Sequence, residues 1–132
     1  MAESTARIMV YSDDRLVREQ VRLSLGRKLA GRDLDIFEVA TAPAATNAMD
    51  TSDFDLLILD GEAVPYGGMG LCHQFKTDFE DCQPVLLLVA RVADAWLATW
   101  STADALLGYP LDPVALPAQA AALLNGEAAA SA

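Results

Sequence analysis

Asp13 and Asp60, each at the end of an apolar run, are the positions in this 132-residue chain where chemistry could sit. Asp13 and Asp14 follow the run Ile8-Met-Val-Tyr-Ser12, and Asp60 closes the aliphatic run 56–59. If the two runs are neighbouring strands of a parallel sheet, both carboxylates reach its carboxyl edge, where such sheets build their sites. Carboxylates brought together repel, and the usual remedies are a hard cation with oxygen ligands or a raised pKa. An Asp at the end of a buried strand can also serve as a phosphoryl-accepting nucleophile. Asp14 has a plainer use, as the cap of the helix that follows. The thiols add no metal chemistry. Cys72 and Cys82, with His73 beside the first, do not have a zinc spacing and read as two reduced cysteines.

The elements that must position these acids are legible as alternating runs. Residues 8–11 form a short strand pattern, and Leu16, Val17, Val21, Leu25 and Leu29 then recur at helical spacing. Strand patterns follow at 36–40, 56–59, 85–89 and 105–109, with helical patterns at 41–49, 69–79, 93–100 and 113–124. The segment 61–70 is a loop holding four glycines and Pro65. Strands that read as unbroken aliphatic runs belong to a parallel sheet covered on both faces. The class is therefore α/β, one doubly wound domain of five strands. The segments 1–6 and 126–132 are small, polar or Ala-rich and are expected to be disordered, leaving 7–125 as the domain.

Charge narrows the partners. Nine Lys and Arg stand against 19 Asp and Glu, a net charge of -10. From Asp33 onward the only basic residues are Lys76 and Arg91, against 15 acids. A nucleic acid needs a basic surface, so this class of partner is excluded. Arg15, Arg18 and Arg22 share a helix face that reads as solvated. No run approaches the length of a membrane span and no basic-then-apolar leader opens the chain, so a cytoplasmic protein without membrane insertion is expected.

Four segments carry a more specific signal: Arg7-Ile-Met-Val-Tyr-Ser-Asp-Asp-Arg-Leu-Val-Arg-Glu19, Asp55-Leu-Leu-Ile-Leu-Asp60, Pro84-Val-Leu-Leu-Leu-Val-Ala90 and Leu107-Gly-Tyr-Pro110. In order and spacing they resemble a CheY-like response-regulator receiver domain over essentially the whole chain. The stretch from Leu59 to Gly70 is similar to that of stand-alone receivers of the actinobacterial kind. The resemblance implies a flavodoxin-like (βα)5 fold with strand order 2-1-3-4-5. It also implies a phosphoacceptor at Asp60 and Mg²⁺ held by Asp13, Asp60 and the backbone carbonyl of Glu62. The implied role is two-component signalling rather than enzymatic turnover, at most self-phosphorylation of Asp60. The implied partners are proteins, a histidine kinase or a target.

Against that pattern the chain departs at three places. The first member of the family's acidic pair is Ser12, the switch Thr or Ser is Val89, and the invariant lysine is Tyr109. Fewer anionic ligands weaken Mg²⁺, valine has no donor, and tyrosine offers a neutral hydroxyl. Phosphoryl transfer relies on electrostatic stabilisation by metal and lysine, so acceptance at Asp60 is expected to be weakened or absent. Arg91, just past the fourth strand pattern, is the candidate compensating cation. Trp96 and Trp100, four apart on the helix 93–100, together with Tyr109 mark a contact face built from 93–100, 105–109 and 113–124, open to homodimerisation. The reading is an atypical single-domain response regulator acting by protein contact. The alternatives are a conventional receiver using Mg²⁺ and Asp60, and, from another class, a small flavodoxin-like cofactor binder. The last requires a phosphate-cradling loop, and Ser12-Asp13-Asp14-Arg15 has the wrong charge for one.

Overall fold

The structure, a computed structural model, describes residues 5–64, 66–90 and 102–126. Its sheet contains β1 (Thr5–Tyr11), β2 (Lys28–Leu29), β3 (Arg32–Val39), β4 (Leu56–Asp60), β5 (Val85–Val89) and β6 (Ala105–Gly108), in the order β2-β3-β1-β4-β5-β6. Every pairing is parallel except the small antiparallel hairpin between β2 and β3. The described helices are α1 (Arg15–Leu25), α2 (Ala42–Thr51), α3 (Gly68–Asp78) and a C-terminal helix (Ala115–Leu124). With β2 set aside, the five longer strands follow the expected order 2-1-3-4-5.

Alternation along the central strands explains why β4 and β5 read as unbroken aliphatic runs. Met9, Tyr11, Leu57, Leu59, Leu87 and Val89 pack on one side with α2 and α3. Ile8, Val10, Leu56, Ile58, Leu86 and Leu88 pack on the other with α1 and the C-terminal helix. Both faces are covered, so every residue of β4 and β5 is buried.

Three boundaries differ from the sequence reading by three residues or more. The helical spacing that included Leu29 overruns: α1 stops at Leu25, where Gly26 takes φ 73° and donates its N–H to the Arg22 carbonyl. Leu29 lies instead in β2, opposite Arg32, across a turn in which Ala30 and Gly31 both have positive φ. The sheet thus has six strands rather than five. β3 begins at Arg32 instead of 36, because Asp33 and Asp35 point to solvent while Leu34 and Ile36 face the apolar side. β1 begins at Thr5 rather than at Ile8, with Ala6 fully buried. The helix pattern at 93–100, with Trp96 and Trp100, and Arg91 before it lie outside the described residues.

Two glycines let the loop after β4 fold tightly against the sheet. A Cβ on Gly68 would stand 2.7 Å from the Asp60 carbonyl oxygen, and one on Gly61 would stand 2.7 Å from the Leu88 carbonyl oxygen. Neither space admits a side chain without moving backbone, so these glycines fix how Asp60 is presented.

Candidate functional site

Asp60 ends β4 at the carboxyl edge of the sheet and is only 3% exposed. β1 pairs with β4 from Ile8↔Leu56 to Tyr11↔Leu59, so Ser12 arrives beside Asp60. On the other side Val89 pairs with Gly108, and Tyr109 continues that register by donating its N–H to the Val89 carbonyl. The sheet thus delivers one hydroxyl from each flank. Ser12 Oγ donates to Asp60 Oδ2 at 2.8 Å, and the Tyr109 hydroxyl donates to Oδ1 at 2.8 Å. The Glu62 backbone N–H adds a third bond to Oδ1 at 2.9 Å. Ser12, fully buried, also accepts from Asp14 N–H at 3.0 Å, which leaves its proton for Asp60.

The electrostatics hold these donors in their protonated form. Burial, then the Asp60 charge and the hydrogen bond to it, push the Tyr109 phenol far above the ordinary tyrosine range, with smaller contributions from Glu62 and Asp14. Tyr109 therefore remains a donor at every ordinary pH. Tyr11 is raised as well, by burial first and then by the charges of Asp13 and Asp60. Its hydroxyl donates to the Tyr66 carbonyl, tying the end of β1 to the loop after β4. Glu62 pins the same loop to the end of β5, its Oε2 accepting from Ala90 N–H at 3.1 Å.

Of the residues singled out in the sequence, Ser12, Asp60 and Tyr109 come together. Asp14 is the cap of α1, its Oδ1 accepting from Leu16 N–H at 2.9 Å. Asp13 is exposed and accepts from Val64 N–H at 3.2 Å. Val89 is buried in the core on the α2 and α3 side. Tyr109, read also as part of a contact face, turns its hydroxyl inward. Two contributors escaped sequence reasoning: the Tyr11 phenol and the Glu62 side chain. The only available signal for Tyr11 was a polar-tipped aromatic immediately before Ser12.

A divalent cation would compete for its ligands here: Asp60 Oδ1 already accepts two protein donors, and Asp60 Oδ2 and one Asp13 oxygen accept one each. No cluster of three or more His, Cys, Asp or Glu side chains able to hold a metal occurs among the described residues. What the site can do is keep one buried carboxylate satisfied by neutral donors alone.

No family model matches the chain. It is 46% identical over 128 residues to uncharacterized response regulatory proteins of two Mycobacterium tuberculosis strains, covering 95% of this chain and 96% of theirs. It is 35% identical over 119 residues to the response regulator protein PmrA of Pseudomonas aeruginosa, covering 89% of this chain and 52% of that protein. Among solved structures it matches a two-component response regulator of the LuxR family from Aurantimonas, with TM-score 0.81 and 26% identity over 97% of this chain and 91% of that one.

Proposed function

Because the chain belongs to the receiver family of response regulators, we propose that it signals through protein contact, with phosphoryl acceptance at Asp60 weakened or lost. It is a receiver of two-component signalling, not an enzyme turning over a separate substrate. The observation that carries the proposal is the occupancy of Asp60: three neutral donors, two of them side-chain hydroxyls, hold its two oxygens. Attack on a phosphodonor has to use the one acceptor position left open, on Oδ2, or displace a donor. The charge that then develops calls for cationic stabilisation. The bonds the described residues make to Asp60 include none from a cation. Val89 offers no hydroxyl to read a phosphoryl group, so a phosphorylated state would have one fewer contact with which to shift the conformation.

The partners on this reading are proteins, a histidine kinase or a downstream target, met in the cytoplasm. No helix among the described residues is long and apolar enough to cross a membrane.

Incubation with acetyl phosphate and Mg²⁺, followed by intact mass, tests the proposal. The expected result is no accumulated phosphorylated species in the wild type and measurable accumulation in Ser12→Asp/Tyr109→Lys, which frees the carboxylate and supplies a cation. Near-complete modification of the wild type at Asp60 would overturn it.

A further inference from the structure

On the side of the sheet away from α1, an open groove of about 580 Å³ runs between α2 and the start of α3, within the range of small-ligand sites. Pro43, Thr46, Asn47 and Asp50 of α2 form one wall, and Tyr66 and Gln74 the other. The Tyr66 wall is anchored from two directions. Its carbonyl takes the Tyr11 hydroxyl, and its ring lies against Gly70, where a Cβ would come within 3.0 Å of Cζ and the hydroxyl oxygen. A side chain at this position would push the ring aside by a few tenths of an ångström.

The charge of the groove is one-sided. Asp50 is exposed and makes no ion pair among the described residues. Lys76 on α3 is committed elsewhere, to Asp104 at 2.7 Å. An unpaired carboxylate, an aromatic ring 41% exposed and two amides together make a site for a planar cation. Guanidinium stacks on aromatic faces, and its fork of N–H groups suits carboxylate and amide oxygens at once. With a net charge of -10, the chain also favours approach by a basic partner.

We propose that this groove is a docking site for an arginine side chain presented by an exposed basic segment of a protein partner. None of the residues lining the groove bonds Asp60.

Amide-resolved NMR titration of the full chain tests it, with the blocked peptide acetyl-Ala-Arg-Ala-amide, the same peptide carrying citrulline, and spermidine. The expected result is saturable shifts confined to the amides of Thr46, Asn47, Asp50, Tyr66 and Gln74 with the arginine peptide, and none with the citrulline peptide. Asp50→Asn and Tyr66→Leu should each weaken binding by roughly two- to fivefold, as exposed ion-pair and cation–π contacts do. Equal shifts from the citrulline peptide, shifts spread over the whole acidic surface, or unchanged affinity in Asp50→Asn would overturn the proposal. Tighter binding of spermidine than of the arginine peptide would overturn the assignment to a protein partner.

Discussion

Asp60 and Asp104 sit at opposite ends of β5 and are satisfied in opposite ways. Asp104, half-exposed before β6, accepts from the Lys76 ammonium at 2.7 Å and from Val85 N–H at 2.8 Å. The same ammonium donates to the Gln83 carbonyl at 3.2 Å. Asp60, buried at the carboxyl edge, has two hydroxyls and a backbone amide. An ammonium keeps part of its hydration at the first position, where the Lys76 side chain is 20% exposed, and would lose it at the second, where desolvation can cancel the attraction. Hydroxyls enter a buried site at lower cost and still stabilise the anion, because bonds to a charged group are among the stronger ones. What they do not supply is positive charge for chemistry. One end of the sheet therefore has a cation and no nucleophile in need of it, and the other a candidate nucleophile bonded only by neutral groups.

The largest effect is expected at Tyr109. Tyr109→Phe removes one hydrogen bond to a buried carboxylate and should cost about 1.5–3 kcal/mol in urea unfolding at pH 7. Ser12→Ala should cost a similar amount, and a double-mutant cycle should show the two to be coupled through Asp60. The pH dependence has a definite sign. Since the folded Tyr109 phenol is raised above the ordinary value of about 10, its contribution is complete below that pH and is lost as pH rises beyond it. The gap between wild type and Tyr109→Phe should therefore narrow above pH 10, and a gap that stays constant would mean the phenol is not held as described.

Next in size is the loop that presents Asp60. Gly68→Ala forces backbone apart at a 2.7 Å contact and should cost roughly 1–3 kcal/mol by thermal or chemical unfolding. Smallest is the cationic end. Lys76→Met should cost about 1 kcal/mol or less, since the Asp104 side chain is 39% exposed and still keeps Val85 N–H. Raising NaCl to roughly 1 M should erase most of the Lys76 effect and leave that of Tyr109→Phe nearly intact. Equal salt sensitivity at both ends would remove the distinction between them.

The sequence made Asp60 conspicuous for a physical reason. A strand covered on both faces is apolar at every position, so a carboxylate at its end stands out. β3 extends ahead of its aliphatic pattern because its outward residues, Asp33 and Asp35, break any apolar run. β2 was hidden by Leu29, which keeps helical spacing although Gly26 has already ended α1. The degenerate positions Ser12, Val89 and Tyr109 were visible as residue types, but their bonding was not. That both hydroxyls converge on one carboxylate depends on the registers of β1 with β4 and of β5 with β6, pairings between residues far apart in the chain. The Lys76–Asp104 pair, 28 residues apart, was invisible for the same reason.

The hairpin of β2 and β3 has a consequence for solubility. β3 is an outer parallel strand, and β2 already occupies its backbone groups at Arg32 and Asp33. Farther along, Asp35 is exposed, and Glu38 is engaged by Arg18 and Arg22. The opposite margin, β6, has only four residues, with Pro110 two positions beyond it. Exposed strand margins are templates on which other chains add by backbone hydrogen bonding, and natural proteins guard them with short strands, charges and proline. Both margins are guarded here. Copies at high concentration should therefore resist fibril growth, and any association between them would proceed through side-chain surfaces rather than shared sheets.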